Sequence, residues 1–141
     1  MQFFYKIEGG NFSKAGYASS EVKKIIKELN LDIKTIKRIV IALYEAEVNV
    51  VAHAYSGEMI VDIQNDKIIV KIKDEGPGIT DIDQAMKEGY STASAKVREM
   101  GFGAGMGLPN IKKNSDIMKL ESQIGVGSTL EIIFNYKKQA I

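Results

Sequence analysis

Across residues 33–55 the apolar side chains of Ile36, Ile39, Val40, Leu43, Ala46, Val50 and Ala54 recur on one stripe at helical spacing. That pattern predicts a long amphipathic helix whose apolar face has to be buried against something else. Its cover is expected from the strand-like runs at residues 59–63 and 68–72, joined by Gln64-Asn65-Asp66-Lys67, a sequence suited to a hairpin turn. Residues 3–7, aromatic and partly alternating, predict another strand that Gly9-Gly10-Asn11 ends, and residues 119–122 and 128–136 predict two closing strands around a Gly125-Val126-Gly127 turn. A second helix through Val22, Ile25, Ile26 and Leu29 is expected, capped by Ser19-Ser20-Glu21 and ended by Asn30-Leu31-Asp32. Residues 107–118 read as a third helix with Pro109 in its first turn, and residues 81–88 as a short one. The order predicts an α/β (α+β) two-layer sandwich, with a mixed, mostly antiparallel sheet covered by helices on one face.

At 141 residues the chain is long enough for one well-packed domain, and residues 1–141 are taken as one unit. A formal net charge of +1 gives no electrostatic case for direct nucleic-acid or anionic-membrane binding. With no cysteine and His53 as the single histidine, thiolate sites are excluded and zinc is disfavoured, so an expected metal is a hard, oxygen-bound ion. The first residues lack a signal-peptide pattern and no segment approaches a membrane span, which makes the cytoplasm the expected location.

Chemistry concentrates in three segments. Glu45, Asn49 and His53 stand four residues apart along a second stripe of the long helix, so their side chains can converge. The Asn49 amide oxygen suits Mg²⁺, which takes few protein groups besides water and phosphate, while the Glu45 carboxylate suits a base that orients or deprotonates a nucleophile. Asp74-Glu75-Gly76-Pro77-Gly78-Ile79 places an acceptor-only carboxylate at a strand end with glycines close behind, which matches an exocyclic amine such as adenine's. Gly103-Ala104-Gly105-Met106-Gly107-Leu108 can present backbone N–H groups to phosphates ahead of a helix. The cluster is no Walker sequence, since no Gly-Lys-Ser or Gly-Lys-Thr follows, and it falls too late in the chain for a dinucleotide fingerprint.

Taken together, these segments resemble the GHKL superfamily, the ATP-binding fold of gyrase, the large heat-shock chaperones, sensor histidine kinases and mismatch-repair ATPases. Glu45-Ala46-Glu47-Val48-Asn49 is similar to its N box, residues 74–79 to its first glycine box, residues 103–108 to its second and Gly125-Val126-Gly127-Ser128-Thr129 to its third. Within it, the order and wording of residues 74–79, Glu88-Gly89-Tyr90-Ser91-Thr92 and residues 103–109 resemble the bacterial anti-sigma-factor serine/threonine kinases and stress-response switch kinases. The resemblance implies transfer of the ATP γ-phosphate, with Mg²⁺, to a serine or threonine of a small STAS-type antagonist protein. A sigma factor or other regulator is a further implied partner, and a homodimer stays open. By residue it implies Glu45 as general base, Asn49 as magnesium ligand and Asp74 as the adenine-reading acid. Gly78 would be the adenine-pocket glycine, Gly76 and Ile79 of the same box would bind the nucleotide with it, Gly103, Ala104, Gly105, Met106, Gly107 and Leu108 would form the second glycine loop at the nucleotide, and Ser128 would help Asp74 hold adenine. Residues 93–101 are longer than the corresponding loop of the short switch kinases, so the mobile lid expected at about residues 88–106 departs from that pattern.

Two other functions compete with the kinase. One is a nucleotide-gated protein-binding module without kinase activity, which could dispense with Glu45; the other is a histidine-kinase-like ATPase domain, although nothing here resembles a phospho-accepting histidine helix. His53 reads best as a packing residue beside the site, Glu47 as the edge of the core stripe or the partner of a lysine, and Lys96 and Arg98 as solvated loop residues that could meet phosphate.

Overall fold

The computed structural model describes residues 1–79, 82, 86 and 107–137. Five strands, β1 (Gln2–Glu8), β2 (Ser56–Ile63), β3 (Lys67–Glu75), β4 (Ile117–Gln123) and β5 (Gly127–Asn135), form one sheet in the order β1-β2-β3-β5-β4. Every described pairing is antiparallel. Three α-helices, α1 (Tyr17–Ile26), α2 (Ile33–His53) and α3 (Gly107–Asn114), are described with it. None of the described helices is long and apolar enough to cross a membrane.

Strand alternation sends Ile7, Met59, Val61, Ile68, Val70, Ile72, Leu130, Ile132 and Phe134 into the core, where they join Val22 and Ile26 of α1, Ile39, Leu43, Ala46 and Val50 of α2, and Ile111 of α3. The two-layer sandwich read from the sequence is therefore present. Cross-strand neighbours on the other sheet face include Lys71, Glu131 and Lys119 in one row, with alternating charges, and the apolar Ile69, Ile133 and Ile117 in another.

The element ends differ from the sequence reading for tertiary reasons. Helix α1 starts at Tyr17 rather than behind a Ser19-Ser20-Glu21 cap. Its cap is the buried Glu47 carboxylate of α2, which accepts from the backbone N–H groups of Gly16 at 3.0 Å, Ala18 at 3.1 Å and Ser19 at 2.9 Å. Glu47 thus pairs with main-chain donors and not with a lysine. Helix α2 carries its own cap, since Asp32 accepts from the Thr35 N–H at 2.6 Å, and that hydrogen bond holds its carboxyl below the usual range. It ends at His53, because Tyr55 N–H is taken by the Glu75 carbonyl at 2.8 Å as the chain turns into the sheet. Helix α3 stops at Asn114, short of the predicted end, because Asp116 N–H already bonds the Ile133 carbonyl at 3.0 Å and Met118 pairs with Ile132 in the sheet. Of the helix expected at residues 81–88, only Ile82 and Met86 are described; Met86 N–H donates to the Ile82 carbonyl at 3.0 Å. The loop of residues 90–100 lies outside the described residues.

Candidate functional site

Helices α2 and α3 run side by side in opposite directions. Arg38 meets Asn114, Glu45 meets Asn110, and Asn49 meets Gly107, so positions rising along α2 face positions falling along α3. At the last of these the approach is tight: a Cβ on Gly107 would stand 2.9 Å from Asn49 Oδ1 and 3.2 Å from Nδ2, so the Asn49 side chain would have to move away. Glycine at the head of α3 therefore lets the Asn49 amide lie against its backbone. One turn earlier on α2, the partly buried Glu45 receives Asn110 Nδ2 on Oε1 at 3.4 Å. Two of the residues singled out in the sequence, Glu45 and Asn49, are thus brought to the start of α3, where Gly107 and Leu108 lie.

The second half of the site is built where β3 leaves the sheet. Asp74 Oδ1 accepts from Ser128 N–H at 3.1 Å, and a Cβ on Gly127 would collide with the Asp74 carbonyl, so the close approach of β5 depends on glycine there. Residues 74–79 are then stitched to the β4–β5 turn. Gly76 N–H donates to the Val126 carbonyl at 3.1 Å, Gly125 N–H to the Pro77 carbonyl at 2.9 Å, and Ile79 N–H to Ser122 Oγ at 2.7 Å. Ser122 Oγ also lies 2.9 Å from Ser128 Oγ. Ser128 therefore reaches Asp74 through its main chain, while its hydroxyl belongs to a serine pair. The same loop packs on the end of α2, where a Cβ on Gly76 would lie 3.0 Å from Ala54 Cα. Both halves therefore meet along the C-terminal half of α2.

Burial raises the Asp74 carboxyl above its ordinary range, opposed by the Ser128 hydrogen bond that favours the charged form. Burial lowers His53 and so favours its neutral imidazole. The donor set fits a magnesium nucleotide: Asn49 offers a neutral amide oxygen with the Glu45 carboxylate one turn away, leaving phosphate and water to complete the coordination. Gly103, Ala104, Gly105, Met106, Lys96 and Arg98, with the rest of the expected lid, lie outside the described residues. Sequence reading missed Asn110 and Ser122. Asn110 stands three residues after Gly107, but only the packing of α3 on α2 turns that spacing into a contact with Glu45. Ser122 carried no local signal, since its partners come from other strands and loops.

The sequence profile of the histidine kinase-like ATPase domain matches residues 14–134. The chain belongs to this family. The resemblance to the GHKL superfamily drawn from the boxes is therefore upheld, and the match reaches well upstream of the first box. Among relatives of this ATPase-domain chain, "Serine/threonine-protein kinase RsbT" of Bacillus subtilis (strain 168) is 30% identical over 115 residues, covering 79% of this chain and 80% of that protein. "Anti-sigma F factor" of Caldanaerobacter subterraneus subsp. tengcongensis is 30% identical over 139 residues, covering 94% of this chain and 89% of that protein. Among solved structures, the "Mycobacterial sensor histidine kinase MprB" superposes with a TM-score of 0.56 at 13% identity, covering 99% of this chain and 100% of that one, a likeness of fold.

Proposed function

We propose that this ATPase-domain chain is an ATP-dependent serine/threonine protein kinase of the anti-sigma or switch type, which transfers the ATP γ-phosphate to a small STAS-type antagonist protein in the cytoplasm. The observation that carries this reading is the placement of Glu45 and Asn49 one turn apart on α2, with Asn49 against the Gly107 backbone at the head of α3. The relatives named a serine/threonine-protein kinase and an anti-sigma factor support it.

In this reading Asp74 accepts from the adenine amine, and the hydrogen bonds from Ser128 and within the 74–79 loop hold the pocket rigid. Asn49 would hold Mg²⁺, which when bound neutralises phosphate charge. Glu45 accepts the proton of the substrate hydroxyl as its oxygen bonds to the γ-phosphorus; the bond from that phosphorus to the β,γ-bridging oxygen breaks, and ADP leaves with the electron pair. Positioning supplies most of the acceleration and a base adds about 10²–10⁴-fold.

The test is a pull-down with ATP and Mg²⁺, mass spectrometry of the retained proteins and their phosphosites, and then transfer of γ-phosphate to the recovered STAS-domain protein. Glu45→Gln should abolish most transfer while sparing ATP binding and complex formation. A parent protein that binds its partner without phosphorylating it, unaltered by Glu45→Gln, would establish the nucleotide-gated binding module instead.

A further inference from the structure

We propose that Asn110 is a positioning residue for Glu45, its side-chain amide holding one carboxylate oxygen so that the other is presented to the substrate hydroxyl; this rests on the reading of Glu45 as the base. The contact is between Asn110 Nδ2 and Glu45 Oε1 at 3.4 Å. An ionised carboxylate only accepts hydrogen bonds, so the group Asn110 turns toward it is the NH₂ and not the amide oxygen.

The backbone of α3 behind Asn110 is itself anchored. Asn114 Nδ2 donates to the Asn110 carbonyl at 2.8 Å, Arg38 Nη1 donates to the Asn114 carbonyl at 3.3 Å, and Arg38 also pairs with Asp116 at 3.4 Å. These bonds tie the end of α3 to the same helix that carries Glu45. At the other end of α3, Gly107 abuts Asn49. A glutamate on a helix surface has several rotamers open to it, and a base is effective only in the one that reaches the reacting proton. Asn110 supplies the restraint from a neighbouring rigid element, and places it on the helix whose first residue packs against Asn49. The positions of the base and of the amide are thereby set by one helix.

Two measurements test this. In ¹⁵N–¹H spectra of the whole protein, the Asn110 side-chain NH₂ pair, assigned by its loss in Asn110→Ala, should shift in Glu45→Gln relative to the parent. A pair indifferent to Glu45 overturns the contact. In γ-phosphate transfer to the recovered STAS-domain protein, Asn110→Ala should lower kcat roughly tenfold and leave the KM for ATP within about twofold, with the melting temperature unchanged. The decisive comparison is Glu45→Gln with and without Asn110→Ala. If Asn110 acts through Glu45, the double variant transfers phosphate at the rate of Glu45→Gln alone. Losses that multiply, or an Asn110→Ala protein with parental kcat, overturn the positioning role while leaving Glu45 as the base. Parental transfer by Glu45→Gln overturns the base itself, an outcome distinct from either.

Discussion

Replacing Glu47 by alanine removes a carboxylate that is 2% exposed and caps α1 through hydrogen bonds to Gly16, Ala18 and Ser19. The Ala18 and Ser19 bonds are buried, and each orphaned N–H there costs about 1–3 kcal/mol; the Gly16 bond is partly buried, so water can replace some of it. Glu47 and Val51 line one open cavity that the truncation enlarges, and this is offset by no longer having to bury a charge. The expected loss is about 3–4 kcal/mol, a large share of the roughly 5–15 kcal/mol that stabilises a domain. Glu47→Gln keeps one acceptor oxygen but turns an NH₂ toward main-chain donors, so an intermediate loss of roughly 2 kcal/mol is expected. Urea unfolding followed by circular dichroism should show the midpoint falling at unchanged m for both variants, with ATP affinity per folded molecule retained. Glu45→Gln should show the converse, a near-parental midpoint with phosphate transfer lost. A Glu47→Ala midpoint within the equivalent of about 1 kcal/mol of the parent would refute the capping assignment.

Because burial raises the Asp74 carboxyl, the folded state holds that proton more tightly than the unfolded chain, so this group's contribution falls as pH rises from the ordinary carboxylate range through the raised value. Asp74→Asn keeps an oxygen for Ser128 N–H; denaturation at a series of pH values should show that part of the slope removed, and calorimetry should show ATP binding greatly weakened. A parental slope would refute the burial cost, and parental affinity would refute adenine reading by Asp74. Gly107→Ala pushes a methyl group to 2.9 Å from Asn49 Oδ1, so Mg²⁺-dependent ATP affinity should fall roughly tenfold while the fold keeps or gains up to about 1 kcal/mol of helix propensity. Undiminished affinity in calorimetry would mean that Asn49 does not hold the metal.

The stripe on α2 and the alternation of β2, β3 and β5 were legible because each reports one helix or strand meeting one core, a property carried by residues two to four apart. The N-terminal cap of α2 was local too, with Asp32 bonded to Thr35. The glycine clusters also announced a backbone that must come close to something, and their order behind Glu45 and Asn49 pointed to the family. The start of α1 was misread because its cap, Glu47, lies about thirty residues away from the N–H groups it accepts from. Glu47 does lie at the core, as one of its two readings had it, but its main-chain partners carried no local signal. Asn110 reaches Glu45 across 65 positions and Ile79 reaches Ser122 across 43, and neither pairing has any periodicity to betray it. Sequence alone thus determined most of the described elements, their core faces and the family to which the boxes point, because short-range sterics and solvent exclusion act on neighbouring positions. Tertiary structure decided which polar groups answer one another, because a hydrogen bond needs its partners within about 3 Å and only the docking of α1 and α3 on α2 brings these together.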